Sequence, residues 1–149
     1  MNLSIECTLN AEFPLAKREL LRMGDMLLEV LGVEGFDFDL KIVNDAAIAE
    51  VNEEFLGCVG PTNVLSFPFS ETPDLETNSF LGEIVLSVDT LARETRLYGQ
   101  QPEEHTVRLI AHALLHLAGF DHGPEMYSLT DTAVESVAPV FRQRILGWQ

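Results

Sequence analysis

His112-Ala113-Leu114-Leu115-His116-Leu117-Ala118-Gly119-Phe120-Asp121-His122 has the spacing H-x3-H-x2-G-x2-H. The first two histidines are four residues apart, so on a helix both imidazoles share one face. Ala113, Leu114, Leu115 and Leu117 favour that helix. Gly119 supplies its stop, because glycine accepts positive φ without a Cβ penalty and lets the chain turn back. The reversal carries His122 toward the face that holds His112 and His116. Three neutral imidazoles and one open position are the usual arrangement for a catalytic Zn²⁺, whereas a structural site closes with a fourth protein ligand. The expected cofactor is therefore one Zn²⁺ on His112, His116 and His122.

All four histidines of the chain, His105 included, fall between positions 105 and 122. Two histidines on a helix are commonly plain polar surface. The added glycine and third histidine make ligand spacing the better reading. The same spacing resembles the metzincin protease motif HExxHxxGxxH, with Ala113 in place of the glutamate that serves there as general base. Alanine takes no proton, so a protease reading keeps its metal and loses its base.

A second resemblance is more specific. HALLHLAGFDH is similar to the H-G-x-L-H-L-x-G-(Y/F)-D-H signature of the YbeY family of bacterial rRNA maturation factors. Pro61-Thr62-Asn63-Val64-Leu65-Ser66-Phe67-Pro68 resembles that family's PTNVLSFP block, and Leu81-Gly82-Glu83-Ile84-Val85-Leu86-Ser87 its strand LG(D/E)IVIS. The three blocks keep their order over positions 61 to 122. Ala113 stands where the family usually has glycine, and Leu56 where it usually has arginine. The resemblance implies a Zn²⁺-dependent single-strand endoribonuclease that matures the 16S rRNA 3′ end and takes part in ribosome quality control. It implies ribosomal RNA and the small ribosomal subunit as partners, with a small-subunit ribosomal protein and an Era-type GTPase as further candidates.

At 149 residues and 46% hydrophobic, the chain reads as one domain, 1–149, able to bury a core. No stretch is apolar for long enough to span a bilayer. The first residues, Met1 to Glu6, lack the basic and apolar regions of a signal peptide. Cys7 and Cys58 are too few for a disulfide framework, Cys7 is expected to be buried, and cytoplasm is the simplest compartment. The net charge of −15, from 9 basic and 24 acidic residues, argues against a broad grip on phosphates and against anionic membranes. An RNA-cleaving role then requires local contacts or help from a ribosomal partner. Lys17, Arg18 and Arg22, the one basic cluster, read best as a solvated helix face.

Periodicity predicts strands over Asn2 to Asn10, Phe36 to Ile42, Thr62 to Phe69 and Leu81 to Ser87. Helices are expected from Leu15 to Leu31, from Asn44 or Asp45 to Phe55, from Ser87 or Asp89 to Tyr98, from Pro102 through the histidines, and from Ser128 to Leu146. Pro14 fits an early helical position, and Pro139 should kink or split the last helix. Ser70 to Ser79 reads as a loop. The fold class is α/β (α+β): a small four-stranded mixed sheet packed with about five helices. The third and fourth strands have no helix between them, so they should pair antiparallel.

Around the metal, Asp121 is the nearest carboxylate and a candidate base or partner of a ligand. The alternative is a hydrogen bond within the turn. Glu83 is a weaker candidate. His105 is two turns before His112, roughly 10 Å along the axis, too far to bind the same ion. It is a candidate substrate contact or a satisfied polar group. Arg108, one turn from His112, can meet a phosphate or pair with Glu104 at i−4. Thr62 and Asn63 can present polar groups beside the cleft or serve turn chemistry.

Two other readings remain. One is a metal-dependent hydrolase of another substrate such as peptide, disfavoured by Ala113. The other is a non-enzymatic, metal-stabilised ribosome-assembly factor, favoured by Leu56 and the acidity.

Overall fold

A computed structural model describes residues 1–7, 15–70 and 79–146. Along these residues run β1 (Asn2–Ile5), α1 (Lys17–Val30), β2 (Asp37–Val43), α2 (Asp45–Leu56), β3 (Val64–Pro68), β4 (Phe80–Ser87), α3 (Val88–Tyr98), α4 (Pro102–Leu117) and α5 (Pro124–Leu146). The strands form one mixed sheet in the order β1-β2-β4-β3. β1 and β4 flank β2 in parallel, and β3 pairs antiparallel with β4, from Val64 opposite Leu86 to Pro68 opposite Gly82. The direct β3–β4 connection thus makes the antiparallel pair that its lack of a helix predicts.

Alternation along the strands sorts side chains to two faces. Phe38, Leu40 and Ile42 of β2 and Ile84 and Leu86 of β4 join Leu20, Met23 and Leu27 of α1, Ile110 and Leu114 of α4, and Val137 and Phe141 of α5. Val43 and Val85 point the other way, to a small cluster with Ile48 of α2 and Leu65 of β3. β4 reads as a continuous apolar run because neighbours cover it on both faces. Burying two faces of one short sheet is what holds α4 rigidly against the strands.

Several boundaries differ from the sequence expectation. α1 begins at Lys17, where the Glu19 carboxylate accepts from the Ala16 N–H at 3.0 Å. Lys17, Arg18 and Arg22 are exposed. Cys7 is half-buried rather than buried, since it lies just past the end of the sheet's edge strand. β3 begins at Val64, leaving Thr62 and Asn63 in the connection before it. Phe55, placed on the core face of α2 by its spacing, is 63% exposed, because the end of α2 reaches beyond the small cluster. It packs edge-on against Phe67 instead. α5 starts at Pro124, with proline in the first turn, and runs through Pro139 without being split. Residues 8–10, Pro14 and most of the 70–79 loop lie outside the described residues.

The starts of α2 and α3 cap each other. Asn44 accepts from the Ala47 N–H and Ser87 from the Thr90 N–H. Asp45 accepts from Ser87 Oγ, Thr90 Oγ1 and Arg93 Nη1, each at 2.7 Å, while its own N–H donates to Asp89. Burial alone would raise the Asp45 pKa, but the Arg93, Thr90 and Ser87 hydrogen bonds outweigh it and hold the carboxyl below its ordinary value. This cross-capping sets the position of α2, which ends at the cleft described next.

Candidate metal centre and its cleft

The α4 helix buries Leu109, Ile110, Ala111, Ala113, Leu114, Leu115 and Leu117, so its position is dictated by the core. His112 and His116 occupy the remaining stripe and are half-buried. At the end of the helix the Gly119 N–H donates to the His116 carbonyl and the Phe120 N–H to the Leu115 carbonyl, each at 3.0 Å. This pair of bonds is a Schellman motif with Gly119 at the left-handed position, where its φ is +95°. The reversed chain brings His122 alongside. Ring centroids are 4.8 Å apart for His112 and His116, 5.1 Å for His112 and His122, and 4.5 Å for His116 and His122. One ligand nitrogen from each of the three lies within 4.8 Å of the others.

The donor set suits a borderline-soft divalent ion. Desolvation by burial, then the neighbouring His116 and His122, push the His112 pKa down. Burial and His122 do the same for His116, against the opposing pull of Asp121 and a backbone hydrogen bond. Lowered imidazole pKa values keep these side chains in the neutral form a metal requires. Among the described residues no fourth ligand joins the three imidazoles, and such a set leaves a coordination position open.

Beside the histidines is a cleft of about 280 Å³, lined by Leu56 from α2, by Asn63, Val64, Leu65 and Ser66 along β3, and by His112, Ala113 and His116 from α4. Ala113 is 2% exposed and offers no proton acceptor. Leu56, at the position where an arginine was expected from the resemblance, is 55% exposed and forms one wall. Among the described residues, no lysine or arginine lines the cleft.

The other candidate residues are distributed unevenly. Asp121 is exposed and close enough for its charge to raise the His116 pKa. Asn63 lines the cleft, while Thr62 does not. Arg108 is also absent from the lining. Its guanidinium reaches Asp131 of α5 at 3.3 Å, and the expected Glu104 partner is taken by Arg142 instead. Glu83 pairs with Lys41 on the sheet. His105 is 5% exposed and its Nε2 lies 3.0 Å from Oε1 of Glu94. The same carboxylate accepts from Asn63 Nδ2 at 3.0 Å. Glu94 was not a sequence candidate, because no spacing relates positions 63, 94 and 105. Only the packing of α3 against α4 and the start of β3 brings them together.

Comparison with known proteins agrees with this geometry. The family model described as "Endoribonuclease YbeY" matches residues 11–132. An endoribonuclease YbeY of Nitratidesulfovibrio vulgaris is 43% identical, over 87% of this chain and 90% of its own. That of Oleidesulfovibrio alaskensis is 39% identical, over 83% of each. The solution structure of TM1509 from Thermotoga maritima superposes with a TM-score of 0.68, covering 95% of this chain and 92% of its own, at 24% identity, and so supports the fold. With its three-histidine turn, its PTNVLSFP block and these relatives, the chain belongs to the YbeY family of endoribonucleases.

Proposed function

We propose that the protein is a Zn²⁺-dependent endoribonuclease that cleaves single-stranded ribosomal RNA in the cytoplasm, at the 3′ end of 16S rRNA and in ribosome quality control. The observation that carries the reading is the convergence of His112, His116 and His122, of which His112 and His116 line one cleft with Leu56, Asn63 and β3. Family membership supplies the reaction class. The three imidazoles would hold the ion, and Zn²⁺, when bound, supplies Lewis acidity toward a phosphoryl oxygen.

The chain's own groups do the rest. β3 and Leu56 flank the RNA strand that enters the cleft, and Val64 and Ala113 are apolar members of its lining. Asp121, exposed and close enough to His116 to act on it by charge, is the carboxylate that accepts a proton. A net charge of −15 leaves little general attraction for RNA. The small ribosomal subunit, with a ribosomal protein or an Era-type GTPase, then delivers the substrate. Cleavage of a single-stranded ribosomal RNA fragment by metal-loaded protein, absent after chelation and absent in His116→Ala, tests the reading. Intact RNA with metal-loaded wild type overturns it.

Leu56 in the cleft wall favours one alternative, a metal-stabilised assembly factor without catalysis. Normal small-subunit maturation by a His116→Ala variant that still binds the subunit would select it.

A further inference from the structure

Glu94 of α3 has no part in the function proposed above, yet side chains from α4 and from the connection before β3 meet on its carboxylate. Asn63 Nδ2 donates to Oε1 at 3.0 Å and to Oε2 at 3.4 Å. His105 Nε2 approaches the same Oε1 at 3.0 Å. The carboxylate accepts only, so Nε2 is the donor and the nitrogen end of the Asn63 carboxamide must face Glu94. At the other end, Asn63 Oδ1 accepts from the Val64 N–H at 2.7 Å. The Asn63 backbone is held as well, its carbonyl accepting from the Ser87 N–H at 2.9 Å. Both ends of the carboxamide are therefore fixed, and among the described residues Glu94 is the one partner of Nδ2, which carries two N–H donors.

Asn63 is one of the residues that line the cleft shared by His112 and His116. Among the described residues that line it there is no cation, and Leu56, Val64, Leu65 and Ala113 are apolar. Among the described residues that line it, Asn63 and Ser66 are the polar ones besides the histidines. A phosphodiester in this cleft needs a donor of fixed direction, and a preorganised N–H is worth most where water is excluded. His105 is two turns upstream of His112 on α4, so one rigid helix carries both the ligands and the group that backs Glu94.

We infer that Glu94 is a positioning residue for RNA cleavage: it aims the Asn63 carboxamide so that one N–H meets a phosphate oxygen of the substrate in the cleft. This rests on the endoribonuclease reading above. Glu94 touches no substrate itself, and it acts through Asn63.

The test compares wild type, Asn63→Ala, Glu94→Ala, Glu94→Gln and the double variant Asn63→Ala/Glu94→Ala. Each is measured for kcat and KM on one single-stranded ribosomal RNA fragment, for Zn²⁺ affinity, and for thermal melting. Asn63→Ala lowers kcat by ~10²-fold, as for loss of one aligned donor. Glu94→Ala lowers it by roughly 10–100-fold, with Zn²⁺ affinity unchanged. The double variant is no slower than Asn63→Ala, because the two residues act as one unit. Glu94→Gln keeps an acceptor for Asn63 and restores most of the rate. A wild-type kcat in Glu94→Ala, a multiplicative loss in the double variant, or a folded Glu94→Gln as slow as Glu94→Ala overturns the positioning role alone. A metal-loaded wild type that cleaves no RNA overturns the functional reading, and the positioning role with it.

Discussion

Gly82 of β4 lies directly against the backbone of Phe67 in β3: a Cβ built on Gly82 would sit 2.3 Å from the Phe67 carbonyl oxygen. Gly82 also has a φ of +142°, a conformation that L side chains rarely adopt. The contact is backbone to backbone, so no side chain can swing away. Gly82→Ala is expected to destabilise the fold by on the order of 1–3 kcal/mol. It should also disturb the cleft, whose wall is the strand paired at this point. Chemical denaturation measures the first effect. A variant as stable as wild type would mean that β3 and β4 separate here without cost.

Gly119 makes the second backbone demand. Its φ of +95° turns the chain after α4 and delivers His122. Gly119→Val forces a β-branched residue into that region. Zn²⁺ affinity should fall by more than tenfold while helix content stays near wild type. Titration calorimetry beside circular dichroism checks this, and unchanged affinity refutes the role of the turn.

Metal binding should follow the imidazoles. Purified protein is expected to carry about one Zn²⁺, and His116→Ala to lose it. His112 and His116 have pKa values below the ordinary 6.5, so both stay neutral as the pH first drops past that value. Zn²⁺ should be retained below pH 6.5 and released as the lowered values are crossed, with uptake of protons. For the metal-free protein the sign is the same. Between those lowered values and 6.5 the unfolded chain binds more protons, so stability falls as pH falls through this window. Release beginning well above pH 6.5 would contradict the burial of the site.

Asp45 titrates lower. Its carboxyl is held below its ordinary value of 3.8 by Arg93, Thr90 and Ser87 against the effect of burial. A depressed carboxyl contributes stability that is present above 3.8 and lost as pH falls toward the folded-state value. Asp45→Ala should therefore be less stable than wild type at neutral pH, and the difference should shrink in acid. Melting curves of both proteins against pH provide the measurement. A constant difference would show that the cross-cap contributes nothing through its charge.

Leu56 offers no hydrogen bond to a phosphate at the wall it forms with His112 and His116. Intrinsic RNA cleavage should be slow, and Leu56→Arg should accelerate it by ~10-fold or more by adding a bidentate cation. Arg108→Ala is the comparison. Because Arg108 pairs with Asp131 and does not line the cleft, its loss should slow the initial rate less than Leu56→Arg raises it. Equal rates for Leu56→Arg and wild type would place position 56 away from the scissile phosphate.

Much of this was local and therefore readable from the sequence alone. The i, i+4 histidines, the glycine two residues past the helix, and the alternation of Leu40 and Ile42 each depend on neighbours a few positions away, and the described strands and helices follow them. Direct succession of β3 and β4 was enough to make that pair antiparallel. Tertiary structure decided what depends on distant partners. Phe55 kept a helical spacing but lost its cover at the end of α2. Glu104 lost its i+4 arginine to Arg142 of α5, and Pro139 stayed inside a helix that packs along α4. The meeting of Asn63, Glu94 and His105 has no sequence period at all. Asn63 and His105 share the half-buried carboxylate of Glu94 because the packing of α3 against α4 and the segment before β3 brings donors and acceptor together, and polar groups drawn into a fold find partners there.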